Sequence, residues 1–274
     1  MSETESSDCS KFFITAKCKN GHKFHKRIFC GKEWCPICGK DGSPAHKRRV
    51  ARWYRKAIKF GSIGYMIVTF PASIRNKFWD PKLLKAKRKE IIKMLKSWGY
   101  AYGLIRLHWF GDSMDYENCM IYHPHFNIFI DEKRIKPKKL ELIKKEIANI
   151  LDIRFDQVNL FYRYYTSPKK KYHKLKYVLR ATFLVKSWNE DLANNLKYFR
   201  NCVSWGSKKL WDSLPVMWTL RDSERWNDDG ASLFEGYCPL CGNKIKWNKQ
   251  ITLINNFEKI YSFNDDLEIY YDSG

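Results

Sequence analysis

The chain has 274 residues, 44% of them hydrophobic, which is enough to bury a core of its own. Lys and Arg number 51 against 29 Asp and Glu, and a formal net charge of +22 attracts polyanions such as nucleic acid. No apolar run approaches the roughly 20 residues that cross a bilayer, and the first residues lack the pattern of a signal peptide. We therefore expect no membrane partner, a cytoplasmic location and a nucleic-acid partner.

Composition divides the chain into five segments. Acidic residues and few packing signals at both ends predict loose tails over 1–10 and 257–274. Between the tails we predict a zinc-binding segment with a basic helix over 11–60, a compact domain over 61–210, and a C-terminal extension over 211–256.

Hydrophobic periodicity predicts alternating helices and strands in chain order. The predicted elements are a basic helix over 45–59, a strand over 63–70, a helix over 82–98, strands over 103–110 and 122–130, a helix over 137–150, a strand over 158–165, and helices over 174–186 and 189–202. From the first strand onward the order is β-α-β-β-α-β, which suits a split βαβ sheet. We predict an α+β fold with a ferredoxin-like or RRM-like antiparallel sheet, helices on one face and the other face free for a site.

Two histidines lie two residues apart in a predicted strand. Because successive side chains alternate in a strand, His123 and His125 share one face with Asn127. Two imidazoles on one face can chelate a divalent cation, although an incidental pair of surface histidines is the alternative.

A third ligand is expected from the preceding strand or loop. His108 alternates with an apolar set in the strand over 103–110, so pairing of the two strands would bring it to the same face. Carboxylates of the following loop, Asp112, Asp115 and Glu117, are the alternatives.

A tyrosine stands on the polar side of a predicted helix. The apolar stripe consists of Leu175, Val178, Leu179 and Thr182. Tyr177 and Arg180 point away from that stripe and are neighbours on the helix surface. A phenol that attacks a phosphodiester needs a metal and a nearby cation, which Arg180 and Lys176 can supply. A tyrosine that simply packs is the alternative.

Two Cys-Pro-x-Cys-Gly turns predict zinc sites, since the two-residue gap lets two thiolates bind one tetrahedral ion. The preferred ligand set is Cys18, Cys30, Cys35 and Cys38, with His22 as a substitute. The second turn, at Cys238 and Cys241, has no Cys or His after it, so its other ligands lie upstream. Alternatively, both turns share one four-cysteine zinc. In either case we expect structural zinc.

These motifs together resemble the HUH endonuclease superfamily, in particular the replication initiators of rolling-circle plasmids and small viruses. The resemblance spans residues 18–206. Residues 66–71 look like the family's first motif, with Thr69 in it; residues 123–128 look like its histidine motif, and residues 176–180 like its tyrosine motif.

The resemblance implies roles for these residues. His123 and His125 would bind catalytic Mg²⁺ or Mn²⁺, His108 would be another ligand, and Tyr177 would be the nucleophile. The chain departs from the family in carrying Arg180 where a lysine is common. Tyr198 is a rival nucleophile, which keeps a two-tyrosine scheme open.

The implied reaction is a transesterification on single-stranded DNA at an origin hairpin. It leaves a 5′-phosphotyrosine and a free 3′-hydroxyl, for replication of a plasmid or virus, with an archaeal host suggested by composition. No nucleotide-binding signature is present, so we expect no nucleotide cofactor and a host helicase and DNA polymerase as partners. The alternatives are a single-tyrosine transposase and a non-catalytic, zinc-containing nucleic-acid-binding regulator.

Overall fold

The computed structural model describes residues 9, 11–114, 120–182, 190–197, 199–220, 236–252, 260–264 and 269–272. Within these residues the chain forms seven α-helices and two five-stranded sheets in which neighbouring strands pair antiparallel. The predicted α+β class is therefore confirmed. Three of the residues singled out above, Asp115, Glu117 and Tyr198, lie outside the described residues.

The strands and helices are numbered in chain order. The strands are β1 (Phe13–Lys17), β2 (Lys23–Arg27), β3 (Ile63–Thr69), β4 (Gly103–Met114), β5 (Met120–Asp131), β6 (Asn159–Tyr165), β7 (Cys202–Trp205), β8 (Lys246–Thr252), β9 (Ile260–Asn264) and β10 (Ile269–Asp272). The helices are α1 (Pro44–Ala57), α2 (Ala72–Arg75), α3 (Pro81–Ser97), α4 (Pro137–Leu151), α5 (Pro168–Val178), α6 (Glu190–Leu196) and α7 (Lys208–Ser213).

Three helices begin at a polar cap followed by proline. The side chains of Ser43, Asp80 and Ser167 each accept a hydrogen bond from a backbone N–H in the first turn of α1, α3 and α5. The cap at Ser167 explains why α5 begins at Pro168, before residue 174 where the sequence predicts its start. Helix α5 also ends earlier than predicted, with Leu179 as its C-cap.

The central sheet has the strand order β6-β3-β5-β4-β7. One face of the sheet is apolar and packs against α3 and α4 in a single core. The sheet contributes Met66, Val68, Ile105, Leu107, Phe126 and Ile128 to this core, and the helices contribute Leu84, Ile91, Leu95, Ile143 and Ile147. This is the helix-covered face that the sequence predicts.

The opposite face of the central sheet is only partly free. Tyr65, Leu104 and Phe129 pack there in a second core with residues of α1 and α5, such as Tyr54 and Leu175. The expectation of helices on one face alone is therefore wrong. The stripe predicted on α5 supplies the reason, because its apolar side chains need a surface to cover and are buried against this face.

A second sheet joins the two ends of the described chain in the order β8-β1-β2-β10-β9. Strand β10 pairs with β2, for example Tyr270 with His25, within a stretch for which the sequence predicts a loose tail. Its residues, Ile-Tyr-Tyr-Asp, are largely of types that favour strands, which explains the pairing. In the described part of the chain no helix has both the length and the apolar character that crossing a membrane requires.

Candidate functional site

The histidines lie on the partly free face of the central sheet. His108 in β4 is paired directly with His125 in β5, and their ring centroids are 5.1 Å apart. The ring of His123 lies 6.2 Å from that of His125. The predicted pairing of the two strands therefore brings all three imidazoles together. Thr69 in β3 lies opposite His125 on its other side.

A β-bulge shapes this end of the hairpin. His108 pairs with His125 whereas Phe110 pairs with Tyr122, so β5 carries one residue more than β4 between these pairs. The extra length falls at His123 and Pro124, and Pro124 has no N–H to donate to β4. Simple alternation, used to place His123 from the sequence, is thus interrupted at the histidine motif.

Hydrogen bonds fix which nitrogen of each imidazole carries the proton. His125 Nδ1 lies 2.8 Å from the His123 carbonyl oxygen, and His108 Nε2 lies 2.7 Å from the Val178 carbonyl oxygen. Carbonyl oxygens only accept, so both nitrogens are N–H donors. The lone pairs therefore remain on His125 Nε2 and His108 Nδ1. His108 Nδ1 is buried without a hydrogen-bond partner.

The imidazoles are neutral at neutral pH. Burial lowers the pKa of His125 to about 4 and the pKa of His108 well below its ordinary value. Burial also lowers the pKa of His123. Neutral imidazoles keep the lone pairs that metal binding needs.

Tyr177 faces the histidines and is hydrogen-bonded to a carboxylate. Its ring lies 5.9 Å from that of His108, and its hydroxyl donates to Asp112 Oδ2 at 2.9 Å. Arg180 forms an ion pair with the same carboxylate and stands 5.1 Å from the Tyr177 ring centroid. Burial, followed by the bond to Asp112, raises the pKa of Tyr177 to about 12, so the phenol is protonated at neutral pH.

The cations near Tyr177 differ in part from those expected. Arg180 is in place, but Lys176 is exposed and lies over the ring of Tyr172. Lys174 stands instead 4.3 Å from the Tyr177 ring centroid. Lys174 and Val178 are one helical turn apart and lie on the same side of α5. That side faces β3 and β6, which brings Lys174 close to Tyr177.

A basic, aromatic groove runs beside this tyrosine. It has a volume of about 580 Å³ and lies between the end of β6 and α5. Its lining is made of Tyr165, Lys169, Lys170, Tyr172, His173, Lys174 and Lys176. Lysines beside aromatic rings suit the phosphates and bases of a single strand.

The first cysteine cluster consists of Cys9, Cys30, Cys35 and Cys38, whose ligand atoms all lie within 4.8 Å of one another. Cys38 Sγ lies 3.3 Å from Cys9 Sγ and 3.6 Å from Cys30 Sγ. Gly39 lets the turn close, because a Cβ there would lie 2.1 Å from the Glu33 carbonyl oxygen. Four thiolates in this arrangement can hold a zinc ion.

The second cysteine cluster consists of Cys18, His22, Cys238 and Cys241, again within 4.8 Å. His22 Nδ1 lies 3.4 Å from Cys18 Sγ and 3.5 Å from Cys238 Sγ. This set joins the turn between β1 and β2 to the second Cys-Pro-x-Cys-Gly turn and suits one tetrahedral metal ion.

The predicted partition of zinc ligands is wrong in both of its forms. Cys18 does not join Cys30, Cys35 and Cys38, because the pairing of β1 with β8 carries it to the second turn. A single zinc shared by the two turns is also excluded, since each turn has its own cluster. Cys9 takes the fourth place in the first cluster, where the sequence predicts a loose tail.

The histidine site is looser than the cysteine clusters. Among the described residues, only the two cysteine clusters bring three or more possible ligand atoms within 4.8 Å of one another. His108, His123 and His125 therefore lack the tight spacing of a complete three-ligand site.

Sequence reasoning missed two carboxylates that organise this face. Glu33 accepts hydrogen bonds from Arg106 at 2.8 and 3.0 Å and from Asn201 at 2.8 Å. Asp41 accepts from the Ala181 N–H at 3.2 Å. A single carboxylate in a cysteine-rich loop belongs to no motif, so the sequence alone does not mark it as important. The one available signal was Arg106, because a buried arginine on the histidine face requires an acidic partner.

Comparison with known proteins gives no match to this chain among protein-family models, curated proteins or solved structures.

Proposed function

We propose that this protein is an HUH-type enzyme that nicks and rejoins single-stranded DNA at the replication origin of a plasmid or virus. The observation that carries the proposal is the position of Tyr177. Its hydroxyl is hydrogen-bonded to Asp112 beside two neutral imidazoles whose free nitrogens are His108 Nδ1 and His125 Nε2.

The strand order supports a ferredoxin-like core. Four strands of the central sheet follow the order β6-β3-β5-β4, with α3 between β3 and β4 and α4 between β5 and β6 along the chain. A split βαβ unit gives this order, and β7 extends it at the edge next to β4. The histidines then lie on the two strands that form the central hairpin.

The types of donor atom on this face suit a divalent ion of intermediate softness. His108 Nδ1 is a buried nitrogen without a partner, and His125 and Asp112 are close enough to influence each other's pKa. Imidazole and carboxylate together suit Mn²⁺ better than Mg²⁺, which prefers oxygen ligands and keeps its waters. When bound, the ion would polarise the scissile phosphate as a Lewis acid.

The chain's own residues can carry the proton and the charge. Burial would raise the pKa of Asp112, but the hydrogen bond and charge of Arg180 outweigh it and lower that pKa, so the carboxylate is ionised. Asp112 can then accept the Tyr177 proton as the phenol oxygen bonds to phosphorus. The bond from phosphorus to the 3′-oxygen breaks, and that oxygen takes up, through solvent, the proton that Asp112 removed and leaves as the 3′-hydroxyl, while Arg180 stabilises the developing negative charge.

The groove beside α5 supports single-stranded DNA as the substrate. It leads to Tyr177 through Lys174, which contacts the rings of Tyr165 and Tyr177. Base stacking on aromatic side chains is worth about 1–3 kcal/mol per base. The strand would therefore lie along α5 with its phosphates on the lysines.

Both cysteine clusters are proposed as structural zinc sites. Their ligand atoms are thiolates with one imidazole, and such closed sets hold zinc without leaving a position for substrate. Catalysis is thus assigned to the histidine face.

The test is formation of a covalent adduct between the protein and a labelled single-stranded oligonucleotide that contains an origin-like hairpin, in the presence of Mn²⁺. Tyr177→Phe should abolish the adduct, and Asp112→Asn should slow its formation by about 100-fold, the loss expected for a general base. Tyr164→Phe, an exposed tyrosine of β6, is the matched control and should retain full activity.

Other outcomes would redirect the proposal. An adduct that persists in Tyr177→Phe but disappears in Tyr198→Phe would transfer the nucleophile to Tyr198. No adduct on any origin-like DNA would contradict catalysis and favour the nucleic-acid-binding regulator, a reading that the wide spacing of the histidines also favours. Cleavage at the ends of a mobile element would indicate a transposase.

A further inference from the structure

The loop that carries the first cysteine cluster contacts the backbone just beyond Tyr177. Residues 30–41 hold two carboxylates, and residues 180–182 follow the end of α5. The Ala181 N–H donates to Asp41 Oδ1 at 3.2 Å. The Thr182 hydroxyl donates to Glu33. The two segments are thus joined at successive residues.

Arg106 adds a third connection between the same segments. Its guanidinium donates to both carboxylate oxygens of Glu33 at 2.8 and 3.0 Å and to the Arg180 carbonyl oxygen at 2.7 Å. Arg106 is 1% exposed, and the Glu33 side chain is 14% exposed. In this dry setting the hydrogen bonds are directional and strong, so the position of Glu33 dictates the position of the backbone at Arg180.

The cysteines determine the shape of the loop. Glu33 lies between Cys30 and Cys35, and Asp41 follows Cys38 by three residues. Cys38 is tied further through its carbonyl oxygen, which accepts from Ser43 Oγ, the N-cap of α1. A loop of this length keeps its conformation when a metal joins its thiolates and loses it when the thiolates are free.

Residues 180–182, which these hydrogen bonds hold in place, control the geometry around Tyr177. Arg180 pairs with Asp112, and Asp112 accepts the hydroxyl of Tyr177. A short backbone displacement at 180–182 would therefore move both the cation and the carboxylate that the phenol needs.

We infer that metal bound to the first cysteine cluster positions Tyr177 for reaction, through Glu33 and Asp41 acting on residues 180–182. The metal is a thiophilic ion such as Zn²⁺, and Glu33 and Asp41 are positioning residues that do not touch the substrate. The inference rests on the proposed function only in treating Tyr177 as the nucleophile. The second cysteine cluster, which joins the turn between β1 and β2 to the turn at 238–242, provides the contrast.

The first test uses the full chain labelled with 3-fluorotyrosine, in which Tyr177→Phe identifies the ¹⁹F signal of Tyr177. Zn²⁺ is added to reduced, metal-free protein at constant pH, and circular dichroism is recorded in parallel. We expect the Tyr177 signal to shift and narrow with zinc in the wild type and in Cys241→Ser, and to stay broad in Cys35→Ser. Equal responses in Cys35→Ser and Cys241→Ser would overturn the inference.

Two milder substitutions, both at Asp41, keep the inference testable if Cys35→Ser does not fold. Asp41→Ala keeps all eight cluster ligands but loses the contact to Ala181, whereas Asp41→Asn retains an acceptor oxygen. Asp41→Ala should bind the same amount of zinc and the same oligonucleotide with unchanged affinity, yet form the adduct up to roughly 100-fold more slowly, the loss expected for a displacement of about 1 Å. Asp41→Asn should restore the rate.

The two proposals fail in different ways. Equal adduct rates in Asp41→Ala and Asp41→Asn, with an adduct in the wild type, would overturn the inference and leave the nuclease intact. A zinc-dependent Tyr177 signal without any adduct would support the positioning role and contradict the nuclease.

Discussion

The two faces of the central sheet are built from the same strands and have opposite chemistry. On one face Ile105, Leu107 and Ile128 are completely buried against α3 and α4. On the other, Arg106, His108 and Asn127 are also buried. Burial of polar groups lowers stability unless every group finds a partner. The comparison shows that the first face is a purely apolar core, whereas the second buries polar side chains beside the apolar side chains Tyr65, Leu104 and Phe129.

Buried polar atoms without a hydrogen-bond partner also distinguish the two faces. Among the residues that the structure describes, the second face holds buried nitrogens without a hydrogen bond at Arg106 Nε, His108 Nδ1 and Asn127 Nδ2. Native proteins leave few such atoms, and those they leave often await an ion, a water or a substrate.

The largest effect is expected from truncation on the apolar face. Ile128→Ala should lower the free energy of unfolding by about 4 kcal/mol, because a fully buried side chain leaves a cavity in the core. The measurement is urea unfolding, with the adduct rate taken per folded molecule. That rate should stay at the wild-type value, and a parallel loss would show that the two faces are not separable.

The next largest loss of stability is expected at the ion pair between Glu33 and Arg106. Glu33→Gln should lower the free energy of unfolding by about 3 kcal/mol, since it leaves the guanidinium of Arg106 buried without its charge partner. Urea unfolding again measures it. The exposed pair between Arg154 and Asp156 is the matched control, and Asp156→Asn should change stability by less than about 1 kcal/mol.

A smaller loss is expected at the centre of the polar face. The hydroxyl of Tyr65 donates to Asn127 Oδ1, and Asn127→Ala would leave that buried hydroxyl unpaired. We expect a loss of about 2 kcal/mol in the free energy of unfolding. The double variant with Tyr65→Phe should recover part of it, and a fully additive double variant would contradict the assigned pairing.

The effect of His125 on stability is absent at neutral pH and develops only as the pH falls. Burial holds the folded-state pKa at about 4 against 6.5 for an ordinary histidine, so the unfolded chain binds the extra proton between these values. The wild type should therefore lose stability as the pH falls from 6.5 to 4, measured by urea unfolding without divalent ions. His125→Leu should lose less over the same interval while giving no adduct. Identical pH profiles would refute a buried, neutral imidazole.

The features that follow from local patterns were predictable. Alternation in the strands places His108 and His125 together, and the spacing of Leu175, Val178 and Leu179 predicts the buried stripe of α5. The bulge at His123 was not predictable, because it arises from the pairing of two strands around Pro124.

Features that depend on contacts between residues far apart in the chain could not be predicted from the sequence. Cys18 and Cys241 are 223 residues apart, and Glu33 and Arg106 are 73 apart, so no spacing within a motif joins them. Cys9 stands alone in an acidic segment and is one of three cysteines, with Cys119 and Cys202, that belong to no predicted zinc set, so the sequence did not identify it as a ligand. Ligand type is encoded locally, whereas the partition of ligands is decided by the sheet that joins the two ends.

That sheet also has a consequence for how the protein is made. Strand β1 lies between β2 and β8, and β2 lies between β1 and β10, so the hairpin of β1 and β2 is flanked by strands that are translated long after it. Until residues 246–272 emerge from the ribosome, both edges of this hairpin are unpaired. The second cysteine cluster is likewise incomplete until Cys238 and Cys241 have been translated. A chain interrupted by premature termination before these strands would therefore expose two open strand edges, which promote aggregation.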